Sequence, residues 1–94
     1  MWQKWLVSQT PKTPPPITLA LHHLNPKDAV EMVEKKIQRA LIAQAESLKI
    51  IHGDEKGKVR RAIHEYLENN AAVVKFEDDE ERPDVTWVYL KLPN

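Results

Sequence analysis

The chain has 94 residues, of which 41% are hydrophobic and 30% charged, with no cysteine and a formal net charge of zero. That length holds one small domain, which buries roughly 60–65% of its unfolded surface. The composition excludes a disordered chain, the missing thiols exclude disulfides and cysteine–zinc sites, and the charge balance excludes a protein that coats nucleic acid by bulk charge.

Residues 1–16 read as an N-terminal tail or Pro-rich linker, and residues 17–94 as the domain. Trp2, Trp5 and Leu6 either share one side of a short helical turn that docks on the domain or belong to the tail. Pro11, Pro14, Pro15 and Pro16 impose an extended segment, because consecutive prolines exclude helix. The segment lacks the long apolar stretch of a secretory signal, and no apolar run approaches the ~20 residues of a membrane span, so a cytoplasmic, non-membrane protein is expected.

The predicted elements follow in order. Ile17–Leu21 is a short apolar strand ending at His22-His23. Asn25, Pro26 and Asp28 are an N-cap, a first-turn proline and a first-turn acid, so a helix begins at Pro26 and runs to about Ala45. Val30, Val33, Ile37, Ala40 and Leu41 form its apolar stripe. Leu48–Ile51 is a second buried strand that runs into His52-Gly53. A loop closed by Gly57 leads to a second helix, about Lys58 to Asn69, with a stripe of Val59, Ala62, Ile63, Tyr66 and Leu67. Val73–Phe76 and Val85–Leu92 are two strands of an antiparallel hairpin, joined by an acidic turn, Asp78–Asp84.

The order β-α-β-α-β-β predicts an α/β two-layer sandwich. A right-handed crossover makes the first two strands parallel. One-sided amphipathic helices place both on one face of a four-stranded mixed sheet. Ligands of such sheets bind outside the C-terminal ends of the strands. His22 and His52 end the two parallel strands and so should meet at one sheet edge. Lys56, Lys58, Arg60 and Arg61 gather beside that edge, whereas Glu77, Asp78, Asp79, Glu80, Glu81 and Asp84 gather elsewhere.

One chemistry that fits is a polyanion site. Backbone N–H groups around Gly53–Gly57 would hold a phosphate, and Lys56, Lys58, Arg60 and Arg61 would neutralise its neighbours. His22 and His52 would serve as general acid and base, or as ligands of a divalent metal. The plainer alternative makes each histidine a strand-end residue bonded to backbone. His23 is expected at the surface, and His64 is placed to extend the basic face. The acidic run reads as a solvated loop rather than a metal site. No Walker A pattern, dinucleotide glycine motif, zinc spacing, nucleophile elbow or paired-histidine helix motif is present.

Over residues 17–92 the chain resembles the Smr (small MutS-related) domain family. Leu19-Ala20-Leu21-His22-His23 stands where the family has L-D-L-H-G, with Asp28-Ala29 in place of its E-A pair. Ile50-Ile51-His52-Gly53-Asp54-Glu55-Lys56-Gly57-Lys58-Val59-Arg60 is similar to its I-I-H-G-K-G-T-G-x-L-R stretch. The resemblance implies a fold similar to the C-terminal domain of translation initiation factor three. It also implies binding of DNA or RNA by a monomer or by part of a larger MutS-like protein. In several members it implies a nicking or RNA-cleaving endonuclease assisted by a divalent metal such as Mg²⁺ or Mn²⁺.

His22, His52, Gly53, Gly57 and Arg60 match family motif positions. Ala20 replaces the aspartate of the first motif and His23 its glycine, so that motif is degenerate. Asp54 and Glu55 replace a basic residue and a glycine. Asp54, next to His52, is the candidate replacement metal ligand. The basic start of the second helix is the expected phosphate contact, and a non-catalytic nucleic-acid-binding or protein-interaction module is the alternative.

Overall fold

The computed structural model describes residues 16–53 and 57–92. The strands are β1 (Ile17–Ala20), β2 (Ser47–Ile51), β3 (Val73–Asp78) and β4 (Val85–Leu90), and the helices are α1 (Pro26–Ile42) and α2 (Lys58–Glu68). They form one sheet in the order β1-β2-β4-β3. β1 pairs with β2 in parallel, and the other two pairings are antiparallel. The expected mixed sheet and element order are therefore present. Among the described residues no helix is long and apolar enough to cross a membrane.

Local chemistry explains where α1 starts and stops. The Asp28 N–H donates to the Asn25 side-chain oxygen at 2.8 Å, and Pro26 occupies the first turn, where its missing N–H costs nothing. The helix ends at Ile42, three residues before the expected Ala45. Gln44 adopts a left-handed conformation with φ 58°. The Ala45 N–H then reaches back to the Ala40 carbonyl (2.9 Å), and that of Gln44 to Leu41 (3.1 Å). This is a Schellman closure with glutamine at the position usually held by glycine. It turns the chain sharply enough to bury Ala45 against the core.

One face of the sheet carries the core. Register sets Leu19 beside Ile50, Leu48 beside Val88, and Ile50 beside Thr86. These side chains point to the same side, since residues two apart on a strand share a face. Val33, Ile37 and Ala40 of α1 and Val59, Ile63 and Leu67 of α2 are buried with them in one cluster, so both helices cover that face. The predicted stripes form the helix contacts, with Val30, Leu41 and Tyr66 only partly buried.

The opposite face carries Lys49, Trp87, Tyr89 and Lys75. The Lys49 ammonium lies 5.6 Å from the Trp87 ring centre, and that of Lys75 5.0 Å from the Tyr89 ring. β3 extends two residues past the expected Phe76, and β4 stops two residues short of Leu92. The extension makes Asp78 a strand residue facing Thr86, rather than the first residue of a loop.

Ile63 is completely buried, whereas Ile42 is 83% exposed. Truncating Ile63 to Ala should cost ~3 kcal/mol in urea unfolding, through lost transfer free energy and a cavity. Ile42→Ala should stay within ~0.5 kcal/mol of the parent.

Candidate nucleic-acid interface

The parallel pairing continues one step beyond the strands. The Leu21 N–H donates to the Ile51 carbonyl at 2.8 Å, and the His52 N–H to the Asp84 carbonyl at 2.9 Å. His22 and His52 thus follow directly on two bonded residues. Both line one cavity of about 250 Å³ with Leu21, His23, Leu24, Gly53 and Val59. The cavity lies where the C-terminal ends of β1 and β2 meet the first turn of α2. His22 and His23 are exposed, but His52 is only 4% exposed.

Two glycines shape the loop between β2 and α2. Gly53 has φ 54° and Gly57, the N-cap of α2, has φ 75°. A Cβ at either position would meet no atom within 4 Å. Glycine is favoured there by the left-handed backbone rather than by crowding. Asp54 and Lys56, the candidate metal ligand and one candidate phosphate contact, lie outside the described residues, as do Trp2 and Trp5.

The basic residues divide. Lys58 and Arg61 are exposed on α2. Arg60 is not free: its Nε donates to Asp78 Oδ1 at 3.2 Å and its Nη2 to Asp78 Oδ2. This two-point pairing engages the guanidinium, so a phosphate that met Arg60 would share it with a strand carboxylate. The bond from Arg60 also holds the Asp78 carboxyl below its ordinary range.

A buried polar cluster lies beneath the cavity. Thr86 of β4 is fully buried, and its hydroxyl oxygen is 2.9 Å from His52 Nε2 and 2.9 Å from His64 Nε2. His64 packs edge-on against Phe76, with ring centres 4.9 Å apart. Asp78 Oδ1 is 3.7 Å from His64 Nε2. Burial pushes both imidazoles below their ordinary value of 6.5. Repulsion from His64 and Arg60 adds to this for His52; for His64 the Arg60 charge adds to it, and Asp78 and Glu68 oppose it. Asp78 and Asp84 pull His52 the other way. Burial thus disfavours the charged form of His64, which weakens its place on the basic face.

His22 and His52 share the cavity as their strand-end positions predict, whereas the burial of Thr86 between His52 and His64, and the approach of Asp78, were not expected from the sequence. A usable signal was present. Thr86 is a polar residue at an inward position of a strand whose next inward residues are Val88 and Leu90. Arg60 and His64 are four apart on α2, hence on one helix face.

A second cavity, about 400 Å³, lies on the β3–β4 hairpin and is lined by Glu77, Asp78, Asp79, Glu80, Glu81, Trp87 and Tyr89. The Trp87 indole N–H donates to Asp79 at 2.9 Å. Asp79 therefore belongs to a formed contact, and the acidic run is only partly the solvated loop expected. Its charge would repel a phosphate backbone.

The two histidines predict a pH dependence of stability. A base whose value is lowered by folding makes the unfolded chain the better proton acceptor. Their contribution is complete above the unfolded value of about 6.5 and is lost as pH falls through it toward the lowered folded values. The urea midpoint should drop between pH 7.5 and pH 5.5, and His64→Gln should flatten that drop. An unchanged slope would show that neither ring is held neutral.

Comparison with known proteins accords with this architecture. A model of the Smr domain matches residues 19–91. Endonuclease MutS2 of Aquifex aeolicus is 37% identical over 86 residues, which is 88% of this chain and 11% of that protein. Endonuclease MutS2 of Finegoldia magna is 34% identical over 70 residues, 71% of this chain and 9% of that protein. The chain thus spans about a tenth of the curated relatives it matches. The crystal structure of the Smr domain of Thermus thermophilus MutS2 superposes with a TM-score of 0.76 at 28% identity, covering 80% of this chain and 98% of that one. A stand-alone small MutS-related protein from Escherichia coli shares the fold, with a TM-score of 0.73 at 21% identity, covering 85% of this chain and 68% of that one. With a family model covering most of its length and a sheet that superposes on a solved member, the chain belongs to the Smr domain family.

Proposed function

We propose that this domain binds DNA or RNA along the edge where β1, β2 and the start of α2 meet, and that His22 and His52 act there on a phosphodiester. The observation that carries this reading is the shared cavity at the ends of the two parallel strands, with one exposed and one buried imidazole on its wall. Cleavage needs one group to accept a proton from the attacking oxygen and one to deliver a proton to the leaving oxygen, and two imidazoles supply both. Lys58 and Arg61, exposed beside the cavity on α2, would neutralise flanking phosphates. The MutS2 relatives are named endonucleases, which agrees with phosphodiester chemistry.

A divalent cation such as Mg²⁺ or Mn²⁺ would need oxygen ligands. The described lining of the cavity contains imidazoles and no carboxylate, and among the described residues no three His, Cys, Asp or Glu side chains converge to hold an ion. These residues do not fit the metal. Asp54 would be the nearest carboxylate in sequence. Ala20, in place of the family aspartate, favours a second reading: a module that binds nucleic acid without cutting it.

Three measurements separate these readings. Supercoiled plasmid and structured RNA are incubated with the domain in Mg²⁺, in Mn²⁺ and in chelator. Under the nuclease reading His22→Ala and His52→Asn each lower cleavage by ~100-fold or more; equal activity in the double variant would assign the cleavage to a contaminant. Asp54→Ala that leaves Mn²⁺-dependent cleavage intact removes Asp54 as a ligand. For binding, Lys58→Ala and Arg61→Ala should each reduce the slope of log K against log salt by about 1. Negligible affinity for both nucleic acids at low salt would defeat both readings.

A further inference from the structure

Thr86 has no exposed surface, and its hydroxyl meets two imidazole nitrogens at the same 2.9 Å distance. A hydroxyl has one proton to donate. Both rings could instead donate to its two lone pairs, but the buried hydroxyl proton would then lack an acceptor among the described residues, so it goes to one ring and the other presents its own N–H. With both rings neutral, one Nε2 carries hydrogen and the other does not. The two tautomers are therefore opposite.

The direction follows from His52. Its Nδ1 is buried and has no hydrogen-bond partner among the described residues. A buried N–H without an acceptor is rarer and costlier than an unused lone pair. His52 accordingly carries its hydrogen on Nε2 and donates it to Thr86. Thr86 donates to His64 Nε2, and His64 carries its hydrogen on Nδ1, on a side chain 19% exposed. Asp78 does not reverse this. Its 3.7 Å separation from His64 Nε2 exceeds hydrogen-bond length, and both its oxygens accept from Arg60. Phe76 against the His64 ring limits its rotation.

We propose that Thr86 and His64 are positioning residues that hold His52 in its Nε2–H tautomer and leave its Nδ1 lone pair without a partner among the described residues, on a ring that lines the cavity shared with His22. The tautomer stands on hydrogen bonding alone. Its catalytic consequence, that Nδ1 takes the proton of the attacking oxygen once bound nucleic acid opens the buried ring to the cavity, rests on the nuclease reading above.

The test is a long-range ¹H–¹⁵N spectrum of the full chain with ¹⁵N-labelled histidine, at fixed neutral pH and without nucleic acid. His52 should show a protonated Nε2 and a bare Nδ1, and His64 the reverse. Thr86→Val keeps the shape and removes the hydroxyl, so both rings should move toward mixed tautomers; Thr86→Ser should restore the opposite pair. If Thr86→Val fails to fold, the parent and Thr86→Ser spectra still decide. The same tautomer in both rings, hydrogen on His52 Nδ1, or a Thr86→Val spectrum identical to the parent would overturn the proposal. In the cleavage assay Thr86→Val should lower kcat by ~10-fold with KM unchanged, and Thr86→Ser should recover it. Opposite tautomers in a protein that cleaves nothing would uphold the positioning and sink the nuclease reading.

Discussion

The parallel pairing of β1 with β2 is the constraint on which the site depends. Ile17–Ala20 align with Leu48–Ile51, and one further bond from Leu21 carries the pairing to the strand ends. The crossover helix makes that alignment possible, because a parallel pair cannot be closed by a tight turn. Its cost is met by burial: Val33, Ile37 and Ala40 seal α1 onto the same sheet face that Leu19, Leu48 and Ile50 present. Once the pairing is set, two histidines thirty positions apart share one cavity, and the first turn of α2 closes it.

β4 contributes the second determinant. It sits between β2 and β3, so its inward residues touch both the centre of the core and the acidic strand. Val88 and Leu90 use that place for packing, and Thr86 uses it for hydrogen bonding. A buried hydroxyl in such a position is stable only if its bonds are made. Here one oxygen links β2, through His52, to α2, through His64. The same helix returns Arg60 to Asp78 on β3. Strand ends that would otherwise be held only by packing are tied to the helix by polar contacts.

Charge is sorted as well as balanced. The exposed cations Lys58 and Arg61 lie on α2, whereas Glu77–Glu81 surround Trp87 and Tyr89 on the β3–β4 hairpin. A net charge of zero thus conceals a dipolar surface, and such a surface orients a polyanion without attracting it everywhere. Arg60 lies between the two regions and is neutralised by Asp78, which narrows the basic face to fewer residues than a count of cations suggests.

Much of the fold was legible in the chain itself. Short apolar runs located the strands and period-three-to-four apolar spacing located both helices, because burial leaves those patterns directly in the sequence. The Asn25-Pro26-Asp28 cap marked the start of α1, but its end was missed, since Gln44 bears no glycine-like sign of a left-handed turn. His22 and His52 were legible because each stands next to an apolar strand. The partnership of His52, Thr86, His64, Asp78 and Arg60 was not. Its members come from β2, β4, α2 and β3, and their meeting depends on the strand order and register, which local spacing does not encode. The sequence by itself determined which faces are apolar and which strand ends carry imidazoles. Only the tertiary structure decided which cations stay free and which rings stay neutral, because both depend on burial and on partners brought in from distant segments.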